Sequence, residues 1–179
     1  MSIIKIITVT SIMLIGLFVA ITSLKETKSW RLKNVTSSKE TLLNSNKNQT
    51  TLRDSVVSYG TELLGTPYVA AGCSTNGFDC SGFVYYVFKH FKIEVPRSSP
   101  QYKNFGKEVP INNVKKGDIL VFLSPTNNVI GHLGIVTNPK GMDSDFIHST
   151  SGREMKVVIT SLKVEGYKQR FVKAISVLN

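Results

Sequence analysis

The side chains best able to do covalent chemistry in this chain are two cysteines, Cys73 and Cys80, and three histidines, His90, His132 and His148. A thiol attacks a carbonyl as its thiolate, and a helix N-terminus favours that form by directing unpaired backbone N–H groups at the sulfur. Cys80 has such an end in prospect. Asp79 is a good N-cap, and Phe83, Val84, Val87, Phe88 and Phe91 follow as an apolar stripe at helical spacing. A thiol nucleophile also needs an imidazole to take its proton and a third polar group to hold that imidazole in one orientation. His90 lies ten residues further along the same predicted helix, well over two turns away, and cannot reach the thiol. His132 opens the β-prone run HLGIVT, and His148 follows 16 residues later in FIHST, so two adjacent strands would set them side by side. The roles that follow are Cys80 nucleophile, His132 base and His148 orienter. Spacing alone leaves a structural role open, because buried cysteine packs as a small hydrophobe and histidine often satisfies loop carbonyls.

These side chains need elements to carry them. Leu52, Val56, Val57, Leu63 and Leu64 recur at helical spacing, with Gly65 where the helix would stop, so the domain is expected to span residues 52–179. The second helix begins at Asp79 or Cys80 and is expected to end in the Pro96 region. The period then changes. Residues 119–123, 132–137, 146–149, 157–160 and 170–178 read as strands, punctuated by Pro125, Asn127, Asn128, Pro139 and Gly141. Helices first and strands afterwards indicate an α+β fold, with N-terminal helices packed on an antiparallel sheet of about five or six strands.

Composition narrows the class. With 41% apolar and 19% charged residues the chain can bury a core, and its 22 basic against 12 acidic residues give a net charge of +10. A basic surface favours anionic wall polymers, anionic lipid or nucleic acid. No zinc-ligand spacing or RNA-binding aromatic signature accompanies it, so nucleic acid is not the expected partner. Two cysteines are too few for a disulfide scaffold. They could still pair with each other in an oxidising compartment, which would occupy the Cys80 thiol. Residues 6–24 form an uncharged, mostly apolar run flanked by Lys5, Lys25 and Lys28, the pattern of an export signal or a membrane anchor. Its length favours an anchor; Ala20-Ile21-Thr22 is a mediocre cleavage site. Residues 25–51, rich in Ser, Thr, Asn and Lys, read as a polar tether.

Six short words occur in order: LGTPY at 64–68, FDCSGFV at 78–84, VPRSSPQ at 95–101, KGDILVF at 116–122, GHLGIV at 131–136 and FIHS at 146–149. Together they resemble the NlpC/p60-type cell-wall cysteine endopeptidases. The resemblance implies a papain-like fold and a Cys-His-His triad carried onto Cys80, His132 and His148. It also implies hydrolysis of peptidoglycan stem peptides, most often between γ-D-glutamyl and diaminopimelate or lysine. No metal or organic cofactor is implied, and a monomer located outside the cytoplasmic membrane is expected. Tyr68 would place its hydroxyl near the nucleophile, or be a core aromatic. Asp79 and Ser81 would contact the free amine end of a stem peptide, and Arg97 would line the groove or form a structural ion pair. Gly82 would allow close packing behind the nucleophile, while Gly117 and Asp118 would turn into a strand. One departure is Ala71-Gly72-Cys73 where many relatives read Gly-Gly, which sets a second thiol near the site. Two alternatives stay open: an amidase or acyltransferase using the same triad, or an inactive envelope-binding module.

Overall fold

The computed structural model describes residues 51–178. The expected leader at 1–24 and nearly all of the tether at 25–51 lie outside the described residues. Among the described residues no helix is long and apolar enough to cross a membrane.

The first helix, α1 (Leu52–Glu62), starts at Thr51, whose side chain accepts the Asp54 N–H. Two two-residue strands, β1 (Cys73–Ser74) and β2 (Gly77–Phe78), then form a small hairpin that leads into α2 (Cys80–His90). Helix α2 does not run on toward Pro96. It ends at Phe91, where Lys92 takes a left-handed φ of 58° and the Lys92 and Ile93 N–H groups return to the carbonyls of Lys89 and Phe88. That paired closure satisfies the last carbonyls of the helix and stops it without proline.

The rest of the domain is one sheet. Its strands are β3 (Lys107–Val109), β4 (Ile119–Leu123), β5 (Ile130–Asn138), β6 (Asp145–Ser149), β7 (Val157–Ser161) and β8 (Phe171–Ser176). A short helix, α3 (Glu165–Lys168), joins the last two. The spatial order is β3-β8-β4-β5-β6-β7, with every neighbouring pair antiparallel. This is the expected α+β arrangement, at the upper end of the expected strand number.

Strand β4 is buried on both faces, which explains its unbroken apolar run ILVFL. Ile119 and Val121 meet the helices in a core with Val56, Phe83, Val87, Leu133, Ile135 and Ile147. Leu120 and Phe122 face a second apolar layer with Val136, Phe146, Leu162 and Ala174, closed by Tyr167 of α3.

An ion pair ties the start of the domain to its end. The Arg53 guanidinium donates to Asp118 Oδ1 at 2.8 Å, to the carbonyls of Lys116 and Leu178, and to Ser176 Oγ. The other Asp118 oxygen accepts the Lys115 N–H, closing a turn in which Gly117 has φ 80°. With its partners all present, this buried carboxylate is a fixed anchor for the strand that follows.

Candidate active site

Cys80 is the first residue of α2, and Asp79 is its N-cap, with Oδ1 accepting the Gly82 N–H at 2.6 Å. The Asp79 N–H in turn donates to the Gly72 carbonyl. Gly72 packs so tightly on α2 that a Cβ at Gly82 would collide with its carbonyl oxygen, which accounts for the glycine two residues after the thiol. Arg97 locks this corner. Its two terminal nitrogens donate to both oxygens of Asp79, to Ser81 Oγ, and to the carbonyls of Ala71 and Gly72. The carbonyl of Ala71 belongs to a residue held at φ 58°, a conformation that alanine adopts at a cost of about 1 kcal/mol or more. Of the two readings for Arg97, its geometry is that of the ion pair.

The thiol lies against strand β5. Cys80 Sγ donates to the Gly131 carbonyl at 3.5 Å, and the Leu133 N–H points at the same sulfur. The two groups flank His132 in the chain. His132 itself is bonded to His148, Nε2 to Nδ1, at 2.9 Å, and His148 Nε2 meets Thr160 Oγ1 at 2.9 Å. The ladders explain the line. Ile135 pairs with Ile147, so continuing that register sets His148 opposite Gly134; on β7, His148 faces Val158 and Phe146 faces Thr160. His132, His148 and Thr160 are therefore diagonal neighbours on one face of three adjacent strands, a separation that long side chains can bridge.

Aromatic groups enclose the imidazole pair. The Tyr167 ring lies 5.8 Å from that of His132 and 5.2 Å from that of His148, and the Arg170 guanidinium stacks 5.0 Å from Tyr167. Burial first, then the neighbouring His148 and Arg170, hold His132 well below its ordinary value. Burial and Arg170 push His148 down to about 3. Both rings are neutral near pH 7. For Cys80 the helix-end expectation needs correcting. Burial, then the Asp79 charge, raise the thiol above its ordinary value, outweighing the backbone N–H groups of Ser81, Leu133 and Cys80 that favour the thiolate.

The remaining expected residues also gather here. Tyr68 is half-buried, and its hydroxyl is raised first by burial and then by Cys80 and Asp79, against a hydrogen bond with Ser151 that lowers it. Ser81 is buried and donates to Asp79 Oδ1. Cys73 is a free thiol like Cys80, with Sγ 3.6 Å from the Gly82 carbonyl. His90 stacks on Tyr59 at the far end of α2, with ring centroids 3.8 Å apart. Sequence reasoning passed over three residues: Thr160, Tyr167 and Ser149, whose buried Oγ bonds the Phe78 carbonyl just before the nucleophile loop.

A thiol at a helix start, strand histidines and one antiparallel sheet define a papain-like α+β domain. The chain belongs to the NlpC/P60 family, whose model matches residues 65–176. It is 34% identical over 123 residues to a γ-D-glutamyl-L-lysine dipeptidyl-peptidase of Bacillus cereus, covering 68% of this chain and 35% of that protein. It is 31% identical over 116 residues to the murein DD-endopeptidase MepS/murein LD-carboxypeptidase of Escherichia coli, covering 64% of this chain and 57% of that one. The crystal structure of an NlpC/P60 family protein from Bacillus cereus superposes with a TM-score of 0.65 at 31% identity, over 73% of this chain and 42% of the other. This chain therefore spans about a third to somewhat over half of the length of these relatives.

Proposed function

We propose that the protein is a cysteine endopeptidase that hydrolyses amide bonds in peptidoglycan stem peptides, with Cys80 as nucleophile, His132 as base and His148 as orienter. The observation that carries this reading is the hydrogen-bonded His132–His148 pair beside a helix-end thiol seated against the backbone on both sides of His132. Because Nε2 of His132 is engaged by His148, Nδ1 is the nitrogen that takes the thiol proton. In the first step the Cys80 sulfur bonds to the substrate carbonyl carbon while its proton passes to His132. The oxyanion is met by backbone N–H groups at the start of α2. His132 then gives its proton to the departing amine, leaving a thioester on Cys80. Water, deprotonated by the same imidazole, cleaves the thioester and releases the acid.

A thiol that burial and the Asp79 charge raise suits this sequence, because proton transfer then accompanies attack instead of preceding it. Asp79 Oδ2 holds one donor, Arg97, whereas Oδ1 holds three, so Oδ2 has room to accept a substrate amine beside Ser81 and Tyr68. Arg97 acts by fixing Asp79. The bond proposed for cleavage joins γ-D-glutamate to the diamino acid, in line with the name of the Bacillus cereus relative. Such a substrate places the enzyme in the cell envelope outside the cytoplasmic membrane, with the basic chain near anionic wall polymers or lipid. Digestion of purified muropeptides followed by mass spectrometry tests this. Fragments ending in γ-D-glutamate are expected; intact stem peptides, or acyl transfer to an added alcohol in place of hydrolysis, would overturn it.

A further inference from the structure

The 2.9 Å contact between His132 Nε2 and His148 Nδ1 contains one proton, and it can belong to either ring. If it belongs to His148, the proton of neutral His132 sits on Nδ1, where a base needs a lone pair. If it belongs to His132, Nδ1 is free, and His148 carries its own proton on Nε2. A base at His132 needs the second arrangement, and in it the group that faces His148 Nε2, even one able to donate as well, has to accept that proton. That group is the hydroxyl of Thr160, 2.9 Å away on β7.

We infer that Thr160 is a positioning residue for the proposed hydrolysis: its oxygen accepts the His148 Nε2–H and so keeps the His148 Nδ1 lone pair turned toward His132. The inference rests on Cys80 and His132 acting as proposed above. It holds through the whole cycle. When His132 takes the thiol proton on Nδ1 it has two N–H groups, and its Nε2–H still donates to His148. When it gives the Nδ1 proton to the leaving amine, the other bonds stay as they were. No proton crosses to His148, and the His148–Thr160 bond never reverses. His148 is fully buried, so an Nε2–H without an acceptor would be costly, and the pair would then turn to the arrangement with the proton on His148 Nδ1.

The position of Thr160 supports the role. It lies diagonal to His148 across the β6–β7 ladder, on the same face as the imidazoles. The face is closed by Tyr167 and Arg170, and the Arg170 charge further disfavours an imidazolium at His148.

The test compares Thr160→Val, which removes the hydroxyl at nearly constant shape, with Thr160→Ser, which keeps it. Thr160→Val should lower kcat on a stem peptide about tenfold, the worth of one hydrogen bond, with KM changed less than about twofold. Thr160→Ser should retain most of the rate. Side-chain nitrogen NMR reads the tautomer directly: His148 is expected to be protonated at Nε2 in the wild type and at Nδ1 in Thr160→Val. A wild-type His148 protonated at Nδ1 would overturn the inference even if the valine variant did not fold. So would an unchanged kcat in Thr160→Val, an unchanged tautomer, or a serine variant as slow as the valine one. Cys80→Ala is run alongside. Its continued hydrolysis would refute the proposed nucleophile, while the NMR result still decides the role of Thr160.

Discussion

Replacing His148 by glutamine keeps a hydrogen-bonding side chain between His132 and Thr160 but removes a group that can take up a proton, and the difference is readable in how stability depends on pH. In the folded protein, burial and the Arg170 charge push His148 from 6.5 to about 3. In the unfolded chain the imidazole regains its ordinary value. A histidine whose folded value is depressed binds more protons when unfolded. Its contribution to stability is therefore complete above about pH 7 and is lost as pH falls from there toward about 3. Each pH step inside that window is worth about 1.4 kcal/mol, so the whole loss is about 5 kcal/mol, of which roughly 2 to 3 kcal/mol has gone by pH 4.5. His148 is fully buried, so this contribution is little screened by solvent. Urea unfolding followed by circular dichroism at pH 7 and pH 4.5 measures it. The wild type should lose roughly 2 to 3 kcal/mol more than His148→Gln between the two conditions. Exposed carboxylates such as Asp54, lowered to about 2 by Lys116 and Thr51, titrate alike in both proteins and cancel. His132 is depressed first by burial, which the substitution leaves in place; losing the His148 contribution lets it rise, which widens the difference in the same direction. Stability curves that run parallel from pH 7 to pH 4.5 would refute the account of His148 as a buried neutral imidazole.

Gly82→Ala should cost about 1 to 3 kcal/mol in thermal unfolding, although alanine ordinarily gains about 1 kcal/mol over glycine inside a helix. The added methyl would collide with the Gly72 carbonyl that holds the Asp79 N–H, so hydrolysis should fall as well. Arg53→Ala strands the buried Asp118 carboxylate and should cost about 3 to 5 kcal/mol in denaturant unfolding. Because Arg53 lies on α1 and Asp118 in the turn before β4, both well away from the thiol in the chain, kcat at a temperature where the variant is folded should change little.

Much of this arrangement could be read from residue spacing, and what could not has physical causes. Asp79 followed by an apolar stripe at helical period specified the start of α2, because capping and amphipathicity are local properties. Its end was misplaced, since a closure through Lys92 in the left-handed region uses a residue with no sequence signature for it. Strand β3 was missed because Lys107–Val109 is short, largely exposed and paired only with β8, so it carries no burial pattern. Cys80, His132 and His148 were legible because few other side chains can do their chemistry. Thr160 was not, because a threonine on a β-prone segment carries no mark of its own; its meaning comes from the β6–β7 register, which no local pattern encodes. Tyr167 likewise covers the imidazoles only because α3 folds back over the second apolar layer. The rise in the Cys80 pKa depends on burial and on the Asp79 charge, and both belong to the folded chain.

The central claim, that Cys80 is the nucleophile, is tested most directly by mass spectrometry, intact and after digestion, of the protein quenched in acid during turnover of a stem peptide. The wild type should carry the acyl fragment on the peptide containing Cys80, and Cys80→Ala should carry none and release no product. Hydrolysis by a folded Cys80→Ala variant, or an acyl group found on Cys73 instead, would contradict it.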